Sequence, residues 1–119
     1  MTRDSLENLR RQLAEFALER DWDQFHSPKN LSMALIAEAA ELVEHFQWLT
    51  QAQSKTLPAE KLEAVSLELA DILLYTIRAA DMLGVDLIKA AERKIAINHQ
   101  RYPAHRVRGD ARRASEYED

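Results

Sequence analysis

The stretch PAEKLEAVSLELADILLYTIRAADMLG, residues 58–84, decides the fold. When each residue advances about 100° around a helix axis, Leu62, Val65, Leu69, Ile72, Leu73, Thr76, Ile77, Ala80 and Leu83 fall on one broad face. Leu67 and Leu74 carry the apolar surface round the side, and Glu68, Asp71 and Tyr75 share what is left, with Arg78 nearby. Pro58 suits the opening of a helix, and Gly84 is the residue best able to take the left-handed conformation that closes one. A helix over 58–83 follows. Being apolar nearly all round, it has to lie at the centre of a bundle or under another subunit.

Working outward, Leu6, Leu9, Leu13, Phe16 and Ala17 keep helical spacing and predict an amphipathic helix over about 4–20. Residues 20–26, Arg-Asp-Trp-Asp-Gln-Phe-His, break that period and read as a structured loop. Two aromatics and a histidine there are unusual for a connector, and loops often carry function. Ser27-Pro28, or the nearby Asn30, supplies the start of a helix over 28–49. A polar connection covers Thr50–Leu57, and Asp86 caps a last helix over 86–101 that stops before Pro103. The expected fold class is all-α, a four-helix domain over 1–103 packed as an oligomeric bundle. Residues 104–119 read as a charged C-terminal tail, with Arg106, Arg108, Arg112 and Arg113 ahead of Glu116, Glu118 and Asp119.

Composition narrows the function. The 119 residues, 46% apolar and 30% charged, are enough for one domain with a real core. Two glycines and three prolines favour long helices. The absence of cysteine excludes disulfides and thiolate metal sites. A formal charge of −4 argues against a nucleic-acid polymer as partner, which needs a basic surface. Met1 to Arg11 is polar, with no signal-peptide pattern, and no apolar run reaches the roughly 18 residues of a membrane span. The expectation is a soluble, cytoplasmic protein with no membrane partner.

Two acidic patterns carry the chemistry: Glu38-Ala-Ala-Glu41 and Glu68-Leu-Ala-Asp71. Carboxylates three apart on a helix stand roughly 5–6 Å from one another at Cβ, where they repel and resist burial unless a positive charge sits between them. On the helix over 28–49, Leu31, Leu35, Leu42, Phe46 and Leu49 form a stripe that contains Glu38 and is edged by Glu41, while Glu44 points to the opposite side. Inward glutamates fit either a buried salt bridge or a metal site. With no cysteine and no suitable histidine, a metal reading favours Mg²⁺ or Mn²⁺ over Zn²⁺. A ferritin-like di-iron centre needs Glu-x-x-His, and His45 follows Glu41 by four. On the last helix Leu87, Ala90 and Ala91 define an inner stripe that Lys94 and Asn98 continue. Lys94 either snorkels to the surface or reaches a phosphate. Trp22 and Trp48 are either core residues or platforms for a planar base, with His26 four residues after Trp22.

Taken together, the run from Glu19 through Trp22 to His26, Pro28-Lys-Asn-Leu31, Glu38-x-x-Glu41, Phe46-Gln-Trp48, Glu68-Leu-Ala-Asp71, Tyr75, Lys94-Ile-x-x-Asn98 and Arg101-Tyr-Pro103 resembles the MazG-like nucleoside triphosphate pyrophosphatases, and most of all their dCTP pyrophosphatase branch. The resemblance spans roughly residues 5–103, with a short Thr50–Leu57 linker as a departure. It implies hydrolysis of a nucleoside triphosphate between its α- and β-phosphates, giving the monophosphate and pyrophosphate, with dCTP or a modified dCTP as substrate. It further implies Glu38, Glu41, Glu68 and Asp71 as Mg²⁺ ligands, and Tyr75, Lys94 and Asn98 near phosphates and sugar. Trp22, His26 and Trp48 would surround the base, in a homotetramer (a dimer of dimers) that shares sites between subunits. Lys94 would stabilise charge on the leaving pyrophosphate. A non-catalytic nucleotide-binding module and a helical oligomerisation module are the alternatives.

Overall fold

The structure is a computed structural model that describes residues 3–112 and 114–117. It is all-α and divides into two compact units, Met1–Val85 and Asp86–Asp119.

In the first unit, helix α1 covers Arg3–Glu19, a single 3-10 turn Asp23–Phe25, α2 Pro28–Glu44, α3 Gln51–Ser54 and α4 Ala59–Leu83. Local chemistry fixes each end. The Ser27 hydroxyl accepts the Asn30 amide at 3.1 Å, with Pro28 in the first turn, so α2 starts on a side-chain cap and a preset φ. The Asn30 side chain donates back to the Phe25 carbonyl at 3.1 Å, which ties the aromatic loop to the start of α2. At the far end of α4, Gly84 adopts φ 71°. The Val85 amide reaches the Ala80 carbonyl at 2.8 Å and the Gly84 amide that of Asp81 at 3.2 Å, the paired bonds of a Schellman cap.

Helix α2 is shorter than the pattern 28–49 predicts. The chain leaves the helix after Glu44 through a tightened turn, in which the Phe46 amide bonds the Val43 carbonyl at 2.9 Å and the Leu49 amide that of Phe46 at 2.9 Å. Thr50 then takes an extended backbone and makes a capping box with Gln53: hydroxyl to amide at 3.1 Å, and side-chain carbonyl to the Thr50 amide at 2.9 Å. The Thr50–Leu57 connection thus holds a helix of four residues.

Helix α4 packs along α2 and, less extensively, against α1. Ala17, Leu31, Val65, Ile77 and Ala80 form the buried apolar core. Leu62, Leu69 and Leu83, which the helical period puts on the inner face, are instead 54%, 52% and 62% exposed. Periodicity gives the side of the helix; it does not supply a neighbour to cover it. Leu67, Ile36 and Val43 are likewise exposed on α4 and α2.

The second unit opens with Asp86, whose carboxylate accepts the Lys89 amide at 3.1 Å and caps α5, Leu87–Arg101. Ahead of Pro103 the helix closes on the Tyr102 amide, bonded to Asn98 at 2.8 Å. Beyond it lie α6, Ala104–Val107, a glycine at φ 77° (Gly109), and a 3-10 turn over Ala114–Tyr117. Arg112 clasps Asp110 at 2.7 Å. Four residues cannot display a helical period, so this local order was invisible in the pattern. Arg113, Glu118 and Asp119 lie outside the described residues. Among those described, no helix is long and apolar enough to cross a membrane.

Candidate metal centre and adjoining cavity

Glu38 and Glu41 stand one turn apart on α2, and Glu68 faces them from α4. One carboxylate oxygen from each lies within 4.8 Å of the others. Glu38 and Glu68 are half-buried and Glu41 exposed, whereas Glu44 is exposed on α2 and belongs to no such group among the described residues. Three negative charges this close are unstable together. The Glu38 carboxyl is accordingly pushed up to about 7, first by a hydrogen bond it shares with Glu68, then by burial and the charge of Glu41. With all three ionised there is no proton to share, and Glu68 Oε2 is buried without a partner among the described residues. An orphaned anionic oxygen inside an all-oxygen donor set fits a hard divalent cation, which would satisfy the three carboxylates at once.

Asp71 is brought near this group but not into it. It lies one turn along α4 from Glu68, close enough that its charge also acts on Glu38. It is exposed, and it lines a cavity of about 450 Å³. Leu9, Gln12, Leu13 and Phe16 of α1 form one wall; Trp22 and His26 of the loop, Leu31 of α2, and Leu74, Tyr75 and Arg78 of α4 complete it. The volume and the mainly apolar lining with a few polar groups suit a small organic ligand. Trp22 meets Phe16 edge-on with ring centres 5.6 Å apart, and His26 at 6.3 Å, while the Arg20 guanidinium covers Phe16 at 3.5 Å.

Of the remaining sequence-predicted residues, Tyr75 is half-buried in this cavity wall. Trp48 is 87% exposed and is not part of the lining. Lys94 and Asn98 are exposed, one turn apart on α5 in the second unit.

Sequence reasoning missed the role of Arg78. It is 6% exposed. Its Nε donates to His26 Nδ1 at 3.0 Å, one terminal nitrogen to Asp81 at 3.3 Å, and the other to Asp23. Asp81 also accepts from Arg10 of α1 at 3.3 Å, so this buried guanidinium joins the aromatic loop and α1 to α4. Burial and the neighbouring Arg78 charge hold the His26 imidazole below its ordinary value, Asp23 offsetting part of this. The available signal was a lone arginine in the otherwise uncharged run from Ile72 to Ala80, a residue almost never fully buried unless paired.

An all-α domain whose two long helices bring three carboxylates to one point, beside an aromatic cavity, defines a class of acidic, metal-ready helical proteins. The model of the MazG-like family matches residues 34–117. The dCTP pyrophosphatase 1 of Mus musculus is 46% identical over 109 residues, covering 90% of this chain and 64% of its own length. That of Homo sapiens is 45% identical over 115 residues, covering 94% and 67%. The chain thus spans a little under two thirds of the length of the mouse relative. A pyrophosphatase crystal structure from Archaeoglobus fulgidus superposes with TM-score 0.73 at 36% identity, over 83% of this chain and 93% of that one. The chain belongs to the MazG-like family, on its dCTP pyrophosphatase branch.

Proposed function

We propose that this chain is a Mg²⁺-dependent pyrophosphohydrolase that splits dCTP, or a 5-substituted dCTP, between its α- and β-phosphates into the monophosphate and pyrophosphate. The observation that carries it is the three-carboxylate group with its orphaned Glu68 oxygen, reached through Asp71 from an aromatic cavity large enough for a nucleobase. The relatives named as dCTP pyrophosphatases support the same reading.

Glu38, Glu41 and Glu68 would hold the metal, with Asp71 as the fourth carboxylate. Mg²⁺, or Mn²⁺, held by these carboxylates would supply charge neutralisation for the triphosphate and a lowered pKa for bound water. The chain's own residues do the rest. Trp22 offers a ring face for the base, and the cavity's apolar wall of Leu9, Leu13 and Leu74 excludes water from it. Tyr75 lines the cavity together with Asp71, and is assigned to the phosphates and sugar on the family resemblance. Lys94 and Asn98 are assigned to the triphosphate, and Lys94 to the leaving pyrophosphate, on the family resemblance. A homotetramer is part of the proposal: Leu62, Leu67 and Leu69 leave α4 with an apolar surface that a second copy would cover, and Trp48 would serve a neighbouring subunit.

The test is product analysis with Mg²⁺, Mn²⁺ or chelator, across dCTP, 5-substituted dCTP, dUTP and dTTP. Metal-dependent pyrophosphate, fastest from the cytosine nucleotides, is expected. Orthophosphate as the product, or no pyrophosphate under any metal, overturns it.

A further inference from the structure

Arginine carries five N–H donors and no acceptor. Because Arg78 Nε donates to His26 Nδ1 at 3.0 Å, that ring nitrogen presents its lone pair, and the ring proton of the neutral imidazole is on Nε2. Among the described residues nothing in this chain accepts from Nε2. His26 and Arg78 both line the cavity, and the histidine lies edge-on to Trp22. The guanidinium cannot rotate to release the ring, since its terminal nitrogens are taken by Asp23 and Asp81. A well-packed apolar set in place of Arg78, Asp23 and Asp81 together would avoid desolvating a charge, so filling this space does not by itself call for an arginine.

We propose that Arg78 is a positioning residue for substrate recognition: it holds His26 as a fixed Nε2–H donor, which selects a base presenting a hydrogen-bond acceptor on its edge, as the O2/N3 edge of cytosine does. This rests on the nucleotide reading above and extends it to the chemistry that chooses the base. A base that turns an N–H towards this donor leaves two buried donors facing each other, and a site built around a polar contact rejects such a ligand strongly.

The test combines ¹⁵N spectra of His26 with kinetics of the full chain on dCTP. In the unsubstituted protein the spectrum should show Nε2 protonated and Nδ1 bare; a protonated Nδ1 overturns the proposal. Arg78→Met should give mixed tautomers and raise KM for dCTP about five- to tenfold, the scale of one lost hydrogen bond, with kcat within about twofold. His26→Phe should raise KM equally, and the double variant no further, because Arg78 acts through His26. If the two effects add instead, or if KM stays put in Arg78→Met, Arg78 is only a strut and the proposal fails. Should methionine unfold the chain, Arg78→Lys keeps a buried cation opposite Asp23 and Asp81 but not the directed Nε–H, and should show the same KM rise. A chain that releases no pyrophosphate from any triphosphate overturns the reading underneath; the His26 spectrum, which needs no turnover, tells that failure from this one.

Discussion

The Glu38 carboxyl of α2 shares a hydrogen bond with Glu68 of α4, and that bond is the main reason it is pushed up to about 7. A folded-state value above the ordinary 4.5 means that the stabilisation from the protonated Glu38 carboxyl is fully present below about 4.5 and lost as pH rises through about 7. Metal-free protein should therefore melt at falling temperature across that window, and Glu38→Gln should flatten the trend. Divalent cation has to displace the same proton, so its affinity should climb over the same window. Scanning calorimetry in chelator and in Mn²⁺ checks both; identical profiles for the wild type and Glu38→Gln would refute the raised Glu38 carboxyl.

The carboxylates differ in what they face. Glu41→Gln or Asp71→Asn should cut turnover by more than the roughly 100-fold typical of losing an outer-shell partner. Glu41→Gln should leave metal-free stability equal or higher, since it removes a charge that opposes ionisation of Glu38. Glu44→Gln, exposed on α2, should match the wild type in both assays. Steady-state pyrophosphate release and thermal melts measure the contrast.

Much of this arrangement was legible in the sequence, for physical reasons that also mark where legibility stops. Helix α4 runs for 25 residues, long enough for its period to be unmistakable, and Gly84 announced its end. Phasing along α2 separated Glu38 and Glu41 from Glu44. The end of α2 was not visible, because Phe46 and Leu49 keep helical spacing after the backbone has left the helix; the Thr50-x-x-Gln53 capping box was the sign that a new helix begins. Phase put Asp71 on the face of Glu68 but could not give side-chain reach, which leaves Asp71 bordering the three-carboxylate group. Arg78 finds Asp23 and His26 across separations of 55 and 52 residues, and local patterns hold no information about such pairs.

Core and assembly can be told apart on α4 itself. Ile77 is 2% exposed, and Ile77→Ala should cost about 2–5 kcal/mol whatever the oligomeric state. Leu69 is 52% exposed in the single chain, so Leu69→Asp should be nearly neutral in a monomer. If copies cover this face, the same change buries an unpaired charge and should split the assembly. Analytical ultracentrifugation with parallel melts reads the difference: a wild type that sediments as a monomer removes the tetramer from the proposal.

The two tryptophans should respond differently to truncation. Trp22 is 43% exposed and lines the cavity against Phe16, so its ring face is available to a planar ligand within one chain. Stacking of one base on an aromatic ring is worth about 1–3 kcal/mol by alanine substitution, so Trp22→Ala should raise KM for dCTP by roughly 5- to 150-fold, and Trp22→Phe far less. Stacking is base-tolerant, so both variants should lose dUTP and dCTP binding in the same proportion, unlike the changes at His26 and Arg78. Trp48 is 87% exposed and does not line that cavity, so the proposal assigns its contact with the base to another copy. Trp48→Ala should therefore raise KM in the assembled protein and have no effect in a Leu69→Asp background that has come apart. An equal Trp48→Ala effect in both backgrounds would place its contact within a single chain.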